Sequence, residues 1–317
     1  MRRHIVTGGA GFIGSHLCEV LVERGDSVVC VDDFSSGSEE NIEALAGSKL
    51  FELLHGDVCV VLDKVAGPVS AVAHLASPAS PADYLTHPLE TLAVGSRGTE
   101  AALRLAQAHG ARFVLASTSE IYGDPLVHPQ REDYWGNVNP VGPRSVYDEA
   151  KRFSEAMVAA FRRTLGLDAG IVRIFNTYGP RLRAGDGRVV SNFIVQALSD
   201  RPLTIYGDGS QTRSFCYVDD TVGGLVTMLD THVSGPVNLG NPVELHVADL
   251  AQLVLRLTGS SASLTYRSLP EDDPARRRPD VAKAKELLGW EPSVTAEDGL
   301  KHTIEWFRSQ GFGLRAS

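Results

Sequence analysis

Through the first half of the chain, short runs rich in valine and isoleucine alternate with longer stretches whose apolar residues recur every three or four positions. The runs HIVTG (4–8), SVVCVDD (27–33), LFELLHGD (50–57), VSAVAHLA (69–76), RFVLAS (112–117) and GIVRIFN (170–176) read as strands. Between them, SHLCEVLVERG (15–25) and GTEAALRLAQAHG (98–110) read as helices. In the second of these, Ala101, Ala102, Leu105 and Ala106 share one face. Strand–helix alternation of this kind predicts an α/β fold, a doubly wound parallel sheet with helices on both faces. Beyond residue 177 the texture changes: glycine, proline and arginine rise, as in YGPRLRAGDGR and IYGDGSQTRSF, and the elements shorten.

Composition narrows the picture. With 317 residues, 43% of them hydrophobic and 22% charged, the chain can bury a sizeable core. A net charge of −9 argues against nucleic acid or an acidic membrane as partner, so any anionic ligand must be held by local basic residues. The four cysteines, Cys18, Cys30, Cys59 and Cys216, are too scattered for a disulfide framework. No His or Cys cluster has metal-ligand spacing. No leader precedes the first strand and no apolar run could cross a bilayer, so a soluble, cytoplasmic protein is expected.

The stretch TGGAGFIGSH (7–16) follows a strand and opens a helix, the context in which such a glycine pattern binds a dinucleotide. Gly8 and Gly11 would let the backbone approach a pyrophosphate, and Gly14 would allow close packing. Phe12 and Ile13 begin the helix, whose N–H groups favour phosphate. The second strand ends in Asp32, 18 residues after Gly14, with Asp33 beside it. A carboxylate there accepts from ribose hydroxyls and repels a 2′-phosphate, which favours NAD over NADP. Asp57 and Val58 would lie near the adenine. The expectation is a Rossmann-type NAD-binding domain over 1–177 and a mainly substrate-binding region over 178–317, interleaved with it.

Two polar groupings carry candidate chemistry. ASTSEIYG (116–123) puts Thr118, Ser119 and Glu120 at a strand end. SVYDEAKRFSEAM (145–157) reads as a helix capped by Ser145, with Tyr147 and Lys151 one turn apart on one face. An ammonium near a phenol favours the phenolate, which could take a proton from a sugar hydroxyl while NAD takes the hydride.

With these motifs the chain resembles the extended short-chain dehydrogenase/reductases that act on nucleotide sugars, and within them the UDP-glucuronate decarboxylases (UDP-xylose synthases). The resemblance rests on HLASPASPADY (74–84), ASTSEIYGDPLVHPQREDYWGNVNPVGPR (116–144), RIFNTYGPR (173–181), DGRVVSNFI (186–194) and GDGSQTRSFCYVDD (207–220). It implies an enzyme with Tyr147 as proton acceptor and Lys151 on the nicotinamide ribose. It puts Thr118, Ser119 and Glu120 at the sugar, and Arg213 at the reacting end or the diphosphate. Leu75, Ala76 and Ser77 would line the cofactor, with His74 as strand-end packing. Tyr84, Asn176, Arg188, Asn192, Tyr206, Gln211 and Arg278 would contact the nucleotide sugar, and a homodimer is implied. The implied reaction is NAD-dependent loss of CO2 from UDP- or dTDP-glucuronate through a 4-keto intermediate. A 4,6-dehydratase needs an acid where this chain has Ser119, and a 4-epimerase needs no carboxylate at Glu120. A non-catalytic NAD sensor predicts a broken Tyr/Lys pair. The chain departs from the subfamily run T-L-K-T-N-x-x-G-T by reading TLAVGSRGT (91–99), with Ala93 for the lysine and Gly95 for the asparagine.

Overall fold

The computed structural model describes residues 1–269 and 276–313. Its centre is a seven-stranded parallel sheet. Six strands follow the sequence expectation: β1 (Arg3–Thr7), β2 (Ser27–Asp32), β3 (Phe51–His55), β4 (Ala71–His74), β5 (Arg112–Thr118) and β6 (Ala169–Ile174). The seventh, Val237–Leu239, is too short to stand out in the sequence and pairs with β6. It comes from beyond residue 177, so the C-terminal part of the chain completes the sheet of the N-terminal part.

Strand order is Val237–Leu239, β6, β5, β4, β1, β2, β3. Parallel strands buried on both faces send alternate side chains to opposite helical layers. Val28 and Val114 accordingly enter one core with Leu17 and Leu21, while Val29 and Phe113 enter the other with Leu103 and Val158.

The helices that matter for the site are α1 (Phe12–Glu23), the single turn α2 (Val58–Val61), α3 (Pro81–Thr86), α4 (Pro88–Ala93), α5 (Thr99–His109) and α6 (Ser145–Leu165). Between α4 and α5 the chain makes a π turn, Val94–Gly98. Helix α6 runs past the expected end to Leu165 and stops at Gly166, which is left-handed with φ 66°. Ser145 is not its cap: the capping position is Arg144, and no side chain bonds the first turn there. The Arg144 side chain turns instead to Glu120.

Candidate active site

Strand order reverses between β1 and β4, whose last residues Thr7 and His74 are register partners. Ligands of doubly wound sheets bind at such a switch point, beyond the carboxyl ends of the strands. A cleft of about 530 Å³ opens there, within the range of small-molecule sites.

One side of the cleft is the glycine loop. Gly8 has φ +70°, and a Cβ there would meet the Ala76 backbone nitrogen at 2.7 Å; one on Gly14 would lie 2.0 Å from the Gly8 carbonyl oxygen. The loop therefore lies flat on itself and on the floor formed by Leu75 and Ala76. Gly11 precedes α1 without a side-chain cap, which leaves N–H donors of the first turn for an anion. Asp32 accepts from the Ala10 and Phe34 backbone N–H groups, each at 2.9 Å. Burial raises its carboxyl while those two N–H groups pull it back. Phe12, Ile13, Asp33, Asp57, Val58 and Ser77 line the same cleft. The Asp57 side chain caps α2 by accepting from the Cys59 N–H at 2.8 Å. This set fits NAD: a cradle of phosphate size that any Cβ would fill, and the Asp32 carboxylate in the same cleft at the end of β2, able to accept from ribose hydroxyls.

At the other end, β5 delivers Thr118, Ser119 and Glu120 to the cleft, and the first turns of α6 deliver Tyr147 and Lys151. The expected phenolate is not preformed. Lys151 Nζ lies 6.0 Å from the Tyr147 ring centroid and donates to the Ala116 carbonyl at 2.9 Å. Burial pushes the phenol up to about 12, against a hydrogen bond with Thr118 and the charge of Arg188, and burial brings Lys151 down to about 8. Desolvation outweighs the attraction that the sequence suggested.

Glu120, which lines the same cleft, is held by two arginines. Its carboxylate accepts from Arg144 at 2.6 Å and from Arg277. Burial would raise this acid, but the Arg277 and Arg144 guanidiniums hold it down at about 2. Of the three consecutive arginines at 276–278, Arg278, expected at the nucleotide sugar, reaches Glu244 at 3.6 Å and is half-buried. The short strand Arg276–Arg277 alternates exposed and buried, and it is Arg277 that turns inward. That alternation was hidden because two residues carry no visible period.

Tyr84 is 1% exposed and does not line the cleft. It stacks on Tyr147 with centroids 5.1 Å apart and planes 5° from parallel, fixing the back of that ring. Asn176 and Arg188 do line the cleft, Arg188 donating to the Ala79 carbonyl at 3.0 Å. Asn192, Tyr206, Gln211, Arg213 and Arg278 lie outside its lining, on the C-terminal elements. Arg213 donates to the Thr212 carbonyl at 2.9 Å, and Gln211 to the Tyr206 carbonyl at 2.5 Å. Besides Arg144 and Arg277, the sequence reading missed the Arg183–Asp83 pair at the cleft wall, bonded at 2.6 and 2.7 Å.

Asp148 follows Tyr147 and is 6% exposed. It faces Glu120, Arg144, Arg277 and Glu149, with the Tyr84 and Tyr147 phenols nearby, and its Oδ1 has no hydrogen-bond partner. Burial, then the Glu120 charge, raises it from 3.8 to about 7. Stability linked to this group is full below pH 3.8 and is lost as pH rises through about 7. Asp148→Asn, which cannot ionise, should therefore melt several degrees above the parent at pH 8, at about 2 °C per kcal/mol, and equal it at pH 3.5. Melting curves at both values check this, and an equal gap at the two would refute the assignment.

Comparison with known proteins places this geometry. The profile of the NAD dependent epimerase/dehydratase family matches residues 4–240. UDP-glucuronic acid decarboxylase 1 of Xenopus tropicalis is 50% identical over 98% of this chain and 73% of its own length. Among solved structures, UDP-glucose 4-epimerase from Thermotoga maritima with UDP-glucose superposes with a TM-score of 0.90 at 31% identity, covering 97% of this chain and 99% of that one. UDP-glucuronic acid 4-epimerase from Bacillus cereus, in complex with UDP-glucuronic acid and NAD, gives 0.85 at 28% identity over the same shares. With the glycine loop, the Asp32 carboxylate and the Tyr/Lys helix all at one switch point, the chain belongs to the NAD-dependent epimerase/dehydratase family of extended short-chain dehydrogenase/reductases, in its UDP-glucuronic acid decarboxylase branch.

Proposed function

We propose that the protein is a carboxy-lyase that converts a nucleotide-linked glucuronic acid, UDP-glucuronate above all, into the nucleotide-linked xylose. The observation that carries this reading is the Glu120 carboxylate, which lines the cleft with Tyr147 and Arg188 and is ion-paired from outside the lining by Arg144 and Arg277. The two guanidiniums offset the Glu120 charge, and Asp148 beside them is raised to about 7, so a substrate carboxylate can enter next to Glu120 without an uncompensated negative charge there. The same trio disfavours dehydration. Expelling a C6 hydroxyl needs a proton donor, but Ser119 is no acid and Glu120 is held ionised at about 2.

Gly8, Gly11 and the start of α1 hold the diphosphate of NAD, Asp32 its adenosine ribose, and Lys151 its nicotinamide ribose. Bound NAD supplies the hydride acceptor for oxidation at C4 and the donor for the final reduction. Tyr147 takes the proton of the C4 hydroxyl. Its phenol is neutral in the protein alone; the Thr118 hydrogen bond and the Arg188 charge favour the anion, and the positive nicotinamide ring of bound NAD would favour it further. The resulting 4-keto-uronic acid is a β-keto acid, and its C–CO2 bond breaks with the electron pair moving onto the ketone oxygen as an enolate. Thr118 and the protonated Tyr147 donate hydrogen bonds to that oxygen. A solvent-derived proton then adds at C5. As part of this reading we take the enzyme to be a cytoplasmic homodimer. Leu89 and Leu92 on α4 and Phe153 on α6, two helices that pack together, present exposed apolar surface that a second copy could cover.

Turnover of UDP-glucuronate in D2O, analysed by mass and NMR, tests the reaction. CO2 should be released, with one deuterium at C5 of the pentose and none at C4. Release of a 4-epimer with no CO2 would overturn the reading.

Tyr147→Phe keeps the ring stacked on Tyr84 and removes the oxygen. Nucleotide-sugar binding should survive while kcat falls by about 10²–10⁴-fold, the usual reach of a general base. A folded variant within tenfold of the parent would assign the proton elsewhere.

Ser119→Asp places a second carboxylate beside that of the substrate. Two like charges ~4 Å apart at an effective dielectric of ~20 repel by about 4 kcal/mol, or roughly a thousandfold. The expected result is a large drop in kcat/KM at pH 7 with partial recovery as pH falls and the new acid protonates. Parent-like kcat/KM at pH 7 would rule out this electrostatic account.

A further inference from the structure

The π turn Val94–Gly98 lies against the middle of the helix that carries Tyr147 and Lys151. A Cβ built on Gly95 would sit 2.6 Å from the Ala150 Cβ, 3.0 Å from its carbonyl oxygen and 3.1 Å from its Cα. Ala150 is the residue before Lys151 and three after Tyr147, so backbone touches backbone at the level of both. An asparagine at 95, as in the subfamily run, would need space that the Ala150 methyl occupies.

A hydroxyl clasps the same contact. Ser154, 1% exposed, donates to the carbonyls of Gly95 at 2.7 Å and Ala150 at 2.9 Å. Its oxygen is 3.1 Å from Thr99 Oγ1, which is 3.1 Å from His74 Nε2, and His74 Nδ1 is 2.7 Å from Thr7 Oγ1. The Ala76 N–H, on the cleft floor, donates to Thr7 Oγ1 at 3.3 Å. Burial holds His74 down at about 3, so the ring is neutral. One direction of donation then satisfies every member: Ala76 N–H to Thr7, Thr7 to Nδ1, Nε2–H to Thr99, Thr99 to Ser154, Ser154 to the two carbonyls. This buried line runs from the floor at the strand switch point to the helix bearing the proposed base.

We propose that the Gly95–Ala150 contact, clasped by Ser154, is the positioning device that sets Tyr147 and Lys151 against the cleft floor, with Gly95 as a positioning residue for oxidation at C4. The inference rests on the reaction proposed above. Methyl groups in contact need about 3.6 Å, so a side chain at 95 must push α6 outward by about 1 Å, and a misplacement of that size can cost roughly 10²-fold in rate.

The test compares the parent with Gly95→Ala, Ala150→Gly and the double variant, each loaded with NAD and assayed on UDP-glucuronate. Gly95→Ala should lower kcat by about 10²-fold while leaving KM nearly unchanged, because binding groups elsewhere in the cleft stay in place. Removing the Ala150 methyl in the double variant should restore much of the loss, though not all, since the Ala150 Cα and carbonyl remain close. Should Gly95→Ala fail to fold, Ser154→Ala, which adds no volume, should lower kcat by about tenfold at constant KM. The proposal is overturned by a folded Gly95→Ala with parent-like kcat, by a double variant no better than the single one, or by parent-like kcat in Ser154→Ala. Variant-to-parent ratios report on positioning, whereas a parent that released no CO2 would refute the reaction itself.

Discussion

One carboxylate, that of Glu120, gathers three distant parts of the chain. Arg144 is 24 positions away at the entry to α6, and Arg277 is 157 positions away in the C-terminal part. Drawing these charges out of water is costly, and the arrangement holds only because each has its counterpart within hydrogen-bonding distance. Removing one partner would leave a buried charge uncompensated, typically at about 3–5 kcal/mol. The trio therefore ties the entry to α6 and the C-terminal part of the chain to the end of β5, next to Tyr147.

The groups around the reacting end are shielded by the same packing, and burial is the largest influence on each: it raises Tyr147 and Asp148 and lowers Lys151. Each is pushed toward its neutral form. A site in this state responds strongly to charge brought in by ligands, because the low dielectric that penalises a lone ion also magnifies its interaction with a partner. Proton transfer is thereby tied to occupancy of the cleft. Rigidity comes from below: the ring of Tyr147 is backed by Tyr84, and its helix is held to the floor through Ser154, Thr99, His74 and Thr7.

What could be read from residues alone was what local rules govern. The six β-branched runs became six parallel strands, and the glycine loop with Asp32 stood where a strand–helix unit puts them, since period and turn chemistry act over a few residues. Tyr147 and Lys151 shared a helix face because their spacing is one turn. The family also was legible, because long stretches such as 116–144 and 207–220 carry it. Other features were settled by contacts between distant segments. The seventh strand, Val237–Leu239, exists as a strand because β6 offers an edge to pair with. Arg277, not Arg278, turned inward because the strand beside Thr212–Ser214 sets which side chain faces Glu120. Tyr84 went behind the Tyr147 ring, and the phenol rose where a neighbouring lysine alone would have lowered it. Spacing along the chain determines which groups can share a face, whereas burial and charge pairing depend on every segment that closes over them, and only the tertiary structure decides that.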